Sequence, residues 1–88
     1  MCSQALRHAL IRRPAVQESC GYERSTLYAR IKAGLWTKPI PIGIRSVAWP
    51  VHEVEALNAA RISGKSDDEI RLLVRDLEAA RTNAGATA

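Results

Sequence analysis

Apolar residues fall along this chain in blocks whose spacing changes twice, and each change marks an element. Val16 and Cys20, four apart, share one helical face, and Pro14 suits the opening turn, where its missing N–H costs nothing. Gly21 permits a sharp break, after which Leu27 and Ile31 give a second helix its inner face. Gly34 stops that helix as a natural residue just past its end. Helix, glycine turn and helix over Pro14–Gly34 is a helix-turn-helix pattern. Beyond it the period shortens to two: Ile40 and Ile42 alternate around Pro41, Val47 and Trp49 around Ala48. These read as a β-hairpin with the turn Gly43-Ile44-Arg45-Ser46, and Pro41 confines its first strand to an edge.

The helical period then returns. From Pro50 to about Ile62, Val51, Val54, Leu57 and either Ala60 or Arg61 form an inner stripe, while Glu53 and Glu55 suit the positive end of the helix dipole. Ser63-Gly64-Lys65 breaks the pattern, and Ser66 with Glu69 forms a capping box. The last helix carries Ile70, Leu73, Val74 and Leu77 as a stripe, with an Asp67–Arg71 pair one turn apart, and should end near Arg81-Thr82. Leu10-Ile11-Arg12 reads as extended. The expected class is mainly α with a small β-hairpin: a winged helix-turn-helix domain over residues 10–62, a C-terminal amphipathic helix over 66–82, and flexible ends at 1–9 and 83–88. The last stripe packs either on its own domain or on a neighbouring protomer. For the second option Ile70, Leu72, Leu73 and Leu77 are the candidate contacts, Leu72 lying off the main stripe.

Charge adds direction to this picture. Eight Arg and Lys residues precede Val51 against only Glu18 and Glu23, whereas five follow it against seven carboxylates. A net charge of +4 with that split suits a molecule with one face on nucleic acid. In a helix-turn-helix the second helix enters the major groove. Here it would offer Arg24, Ser25, Thr26, Tyr28 and Lys32, with Ala29 among them. Arg45 at the turn can lie along a phosphate backbone or drop into the minor groove, and Arg12, Arg13, Arg30 and Lys38 contribute mainly charge. Trp49 reads as the structural anchor of the hairpin.

Other chemistry is poorly represented. Cys2, Cys20, His8 and His52 lack the paired spacing of a zinc site, so neither metal nor cofactor is expected. No nucleophile motif or glycine-rich phosphate loop occurs, and enzymatic activity is not expected. Two cysteines make no disulfide framework, and Met1–Leu10 is too short and polar for a signal peptide; a bacterial cytoplasmic, nucleoid-associated protein is expected.

Gly21, Arg24-Ser25-Thr26-Leu27-Tyr28, Ile31-Lys32 and Gly34, followed by Lys38-Pro39, Ile42-Gly43, Arg45, Val47, Trp49 and Glu53-Val54-Glu55-Ala56, together resemble the AlpA-type phage regulators. These are relatives of the excisionases and of the MerR-like winged helices. The chain departs from the pattern at Glu23, where a Ser-like cap is common, at Ala29, often large and polar, and at Leu57, often tryptophan. The resemblance implies a small DNA binder of a mobile genetic element. Such proteins act as excisionases, coating and bending an attachment site so that a tyrosine recombinase excises the element, or they activate a promoter. A single small protomer reads few base pairs, which favours the first role, with head-to-tail self-association along double-stranded DNA. A protein-interaction module that binds a recombinase or polymerase through its last helix is the remaining alternative.

Overall fold

Trp49 lies where the layers of the molecule meet. Its side chain is fully buried, and its indole N–H donates to the Thr37 carbonyl at 2.8 Å. The computed structural model describes the backbone of residues 9–87 and the side chains of residues 9–82. Trp49 belongs to strand β3 (Val47–Pro50), the centre of a three-stranded antiparallel sheet ordered β1-β3-β2. Strand β1 (Leu10–Arg12) sets Ile11 opposite Trp49, and strand β2 (Ile40–Pro41) sets Ile40 opposite Ala48. The hairpin read from the sequence is therefore two-thirds of a sheet. The extended segment at Leu10–Arg12 supplies the third strand because Ile11 packs against the core and the Val51 N–H donates to the Ala9 carbonyl at 2.9 Å. Pro41 lies on an edge strand, where its missing N–H breaks no ladder.

Among the described residues four helices surround this sheet: α1 (Arg13–Cys20), α2 (Arg24–Lys32), α3 (Val51–Ile62) and α4 (Asp67–Thr87). Helix α1 ends on Gly21, whose φ of 78° satisfies the Gln17 carbonyl from a left-handed backbone. Helix α2 closes with both bonds of a Schellman motif. Leu35 N–H reaches the Arg30 carbonyl at 2.8 Å and Gly34 N–H, at φ 81°, reaches that of Ile31 at 3.1 Å. Leu35 and Trp36 then turn inward under the helices.

The segment 66–82, read from sequence as an appended helix, is built into the same core. Ile70 and Val74 of α4 join Val16, Leu27, Trp36, Trp49, Val54 and Leu57 in one buried cluster, with Leu73 and Leu77 packed at its margin. Of the two options for the last stripe, packing on its own domain is the one observed. The capping box forms as expected: Glu69 N–H donates to Ser66 Oγ at 3.2 Å and Ser66 N–H to Glu69 Oε1 at 2.9 Å. The expected Asp67–Arg71 pair does not form. Arg71 turns to Asp68 at 3.2 Å, while Asp67 faces Arg61 at 3.4 Å across the α3–α4 turn. Helical backbone runs to Thr87, past the end expected at Arg81-Thr82, through a stretch containing the good helix formers Ala84 and Ala86. Residues 1–8 and 88 of the expected flexible ends lie outside the described residues.

Helix α4 is held by a buried ion pair that the sequence reading did not anticipate. Glu53, expected only to complement the α3 dipole, is fully buried. Arg81 meets its two carboxylate oxygens in a fork, Nε to Oε2 at 2.8 Å and Nη2 to Oε1 at 2.7 Å. The same Nη2 donates to the Lys38 carbonyl at 2.7 Å, so one guanidinium joins α4, α3 and the α2–β2 connector.

Candidate nucleic-acid interface

Leu27 decides which way α2 faces. It is fully buried, and Ile31, one turn on, packs at the core margin. Ser25, Ala29 and Lys32 therefore form an exposed stripe on the opposite side, with Arg24 and Thr26 exposed in the first turn. Tyr28 and Arg30 are half-buried on the flanks. Glu23 precedes the helix with no side-chain capping bond, leaving the first-turn N–H groups directed outward at the positive end of the dipole.

The helix-turn-helix angle is fixed by aromatic packing. Tyr22 stands edge-on to Trp36, with ring centroids 6.0 Å apart and planes at 79°. The Arg30 guanidinium lies over the Tyr22 ring at 5.3 Å from its centroid. Arg30, expected to contribute charge to a nucleic-acid face, thus braces the turn. At its other end α2 is capped by α4: Arg71 Nε donates to the Ala33 carbonyl at 3.0 Å, placing a cation at the negative end of the dipole.

A second basic group gathers at the hairpin, which forms a wing. Arg12, Arg13 and Arg45 line one cleft of about 160 Å³ together with Pro14, Ser46 and Val47. Arg12 Nη2 donates to Ser46 Oγ at 3.4 Å, which holds that guanidinium at the wing, while Arg13 Nε donates to Gln17 Oε1 at 3.1 Å along α1. Among the described residues no carboxylate lines this cleft, so its charge suits an anion. The sequence reading named all three arginines but not their convergence, because Arg12 and Arg45 meet only through the pairing of β1 with β3. Lys38 is exposed but lies elsewhere. Its N–H donates to Glu78 Oε2 at 2.8 Å, and it borders a groove shared with Arg71, Arg75 and Glu78 of α4.

Of the four residues considered for self-association, Ile70 is only 2% exposed and belongs to its own core, so it is withdrawn as a contact. Leu73 and Leu77 are mostly engaged there too, and Leu72 alone stands out to solvent. Leu72 borders a groove of about 250 Å³ with Ala60, Lys65, Glu69, Leu73 and Asp76. Among the described residues no group of three His, Cys, Asp or Glu side chains is placed to hold a metal, and no helix is long and apolar enough to cross a membrane.

A family model described as prophage CP4-57 regulatory protein (AlpA) matches residues 9–62, from the start of the sheet to the end of α3. The chain belongs to the AlpA family. Its members are small phage DNA-binding regulators, and the helix-turn-helix and wing lie wholly within the matched segment. The chain is also similar to an uncharacterized protein, ORF88, of enterobacteria phage P4, at 40% identity over 55 residues. That match spans 62% of this chain and 62% of the phage P4 protein, so it leaves more than a third of each unaligned. No solved structure matches. Helix α4 lies beyond the family-matched segment.

Proposed function

We propose that this AlpA-family chain is an excisionase, a recombination directionality factor of a mobile element that acts at attachment-site DNA. The observation that carries the reading is the exposed polar stripe of α2 over a buried Leu27. In a major groove, Arg24, Ser25 and Thr26 meet base edges and phosphates, Tyr28 and Lys32 flank them, and Ala29 offers apolar contact to a thymine methyl. The cleft of Arg12, Arg13 and Arg45 takes a backbone phosphate beside the wing. Arg30 and Lys38 add charge without direct base contact.

One α2 reads few base pairs, so useful specificity comes from several copies laid along the duplex. Leu72 and the groove beside it are the contact that remains open for a neighbour. A bent array of this kind would give a tyrosine recombinase the geometry for excision rather than integration. Such a protein works in the bacterial cytoplasm on nucleoid or phage DNA. A second role as promoter activator is favoured by the regulatory description of the family itself.

Footprinting over an element's attachment site and its integrase promoter tests the proposal. Protection of repeated sites within the attachment region, filling cooperatively, is expected. Protection confined to the promoter would assign the chain to activation. No retardation of any duplex at low salt would leave a module that binds only proteins. Sedimentation of one monomer or one two-fold dimer per site-bearing duplex would remove the head-to-tail array.

A further inference from the structure

The apex of the wing is apolar. Ile44 is fully exposed, and Ile42 two residues before it is about half exposed. Tight turns are usually built from Gly, Asn, Asp, Ser or Pro, whose backbones or side chains satisfy the turn. A β-branched aliphatic residue at the apex serves no such purpose and leaves its whole side chain in water. The apex is nevertheless held in place. Ile42 N–H donates to the Ser46 carbonyl at 2.9 Å, and β2 and β3 pair immediately behind it.

Its surroundings separate Ile44 from other exposed aliphatic side chains. Ile62 follows Arg61, whose guanidinium faces Asp67, and Leu72 borders a groove containing Glu69 and Asp76. Ile44 instead precedes Arg45, which lines the carboxylate-free cleft with Arg12 and Arg13. An apolar tip on a cationic base matches a polyanion with an apolar interior. That description fits double-stranded DNA entered through a groove.

We propose that Ile44 is a wedge: the wing enters the minor groove and Ile44 inserts at a base step, partly unstacking it and bending the duplex. The inference rests on the DNA reading above and adds to it a side chain and a deformation. The minor groove, about 6 Å wide, admits a two-residue tip but not a helix, whereas α2 requires the major groove. Insertion of Ile, Leu, Phe or Met at a base step is a general way in which proteins kink DNA toward the major groove. The three arginines hold the flanking phosphates, so the cost of unstacking is offset by contacts the bend brings in.

The test uses the full chain, a short mixed-sequence duplex with fluorescent aminopurines at successive steps, and dyes on the duplex ends. On binding, the parent should shorten the end-to-end distance and brighten an aminopurine at the wedged step. Ile44→Ser, which alters no buried contact, should keep the parent's melting curve and its salt slope. It should bind about tenfold more weakly, as expected when an aliphatic side chain stays in water, and lose both optical signals. Ile44→Leu should retain them. If Ile44→Ser bends and brightens the duplex as the parent does, or the parent does neither on binding, the wedge is refuted while the DNA reading stands. If the parent binds no duplex at low salt, both fail. If it instead sediments with anionic vesicles through Ile44, the tip is a membrane contact and the wedge is again refuted.

Discussion

Replacing Arg81 with Ala removes the partner of a carboxylate that water does not reach. Glu53 is 0% exposed and receives two charge-assisted bonds from Arg81, at 2.8 and 2.7 Å. Deleting one member of such a pair costs about 3–5 kcal/mol, because the other charge stays buried alone. The Arg81 side chain keeps 23% exposure, so its removal opens a path for water toward Glu53, and the lower end, about 3 kcal/mol, is expected. A chain of 88 residues has about 4–13 kcal/mol of stability in all, so the loss is large but survivable over most of that range. The hydrogen bonds that Arg81 donates to Glu53 raise the Arg81 pKa above its already high ordinary value, with burial opposing them. A group raised in this way contributes fully below its unfolded value, so the loss should be independent of pH across the neutral range. Urea denaturation followed through the fluorescence of Trp36 and Trp49 measures it, and a thermal scan should show Tm lower by about 12–24 °C. The double substitution E53M with R81M removes both charges at similar volume and should be near neutral or stabilising. An R81A cost below about 1 kcal/mol, the worth of a surface pair, would refute the reasoning. So would a double variant as unstable as R81A, since packing rather than charge would then hold α4.

Arg24→Ala should relax base preference by about 1–3 kcal/mol of discrimination, read by binding to a panel of single-base variants of the footprinted site. Arg12→Ala with Arg45→Ala should instead weaken all sequences alike and flatten the plot of log K against log salt by about 0.9 per phosphate released, which titrations at several salt concentrations measure. Gly34→Ala should cost about 1–2 kcal/mol in urea denaturation because its φ of 81° is left-handed, although the new Cβ would sit at an ordinary 3.6 Å from Arg71. Gly43→Ala, with no positive φ, should be close to silent in the same assay. The Ser66 N–H and then the Ser66 hydroxyl hold the Glu69 pKa below its ordinary 4.5. The stability this adds is present above that value and lost as pH falls through the lowered one, so Glu69→Gln should flatten the acid side of a stability–pH curve.

Elements whose causes are local could be read from the residues alone. The Gly21 and Gly34 breaks, the burial of Leu27 between polar neighbours, the alternation around Ala48 and the Ser66–Glu69 box each depend on residues within a turn or two. What escaped reading depends on distant partners. Leu10–Arg12 becomes a strand only because Val47–Pro50 arrives to pair with it. A carboxylate near the start of α3 looks like a dipole complement, and its burial follows from Arg81, 28 residues later. Arg30 offers nothing in sequence to tell a solvated cation from one stacked on Tyr22. Arg71 would satisfy a one-turn pairing rule with Asp67, yet the Ala33 carbonyl and Asp68 hold it. In the candidate interface, the α2 residues were legible from helical period, whereas the arginine cleft needed the β1–β3 register to appear.

The charge asymmetry along the chain acquires a physical meaning from these pairings. Arg61, Arg71 and Arg81 meet Asp67, Asp68 and Glu53, so three of the five cations of the C-terminal part are matched within it. Among the described residues no carboxylate lies within ion-pair distance of Arg12, Arg13, Arg24, Lys32 or Arg45. The positive potential available to an outside polyanion therefore arises mainly from the first half of the chain. Helix α4, although rich in acidic residues, takes little away from it. Its Arg71 instead closes the C-terminal end of α2, its Glu78 holds the Lys38 N–H, and its Arg81 holds the Lys38 carbonyl. Those three contacts brace the C-terminal end of α2 and the path of the chain toward β2. A helix outside the family-matched segment thereby braces α2 and the connector leading to the wing, and under the proposed function a loosened α4 should weaken recognition without removing any residue proposed to face DNA.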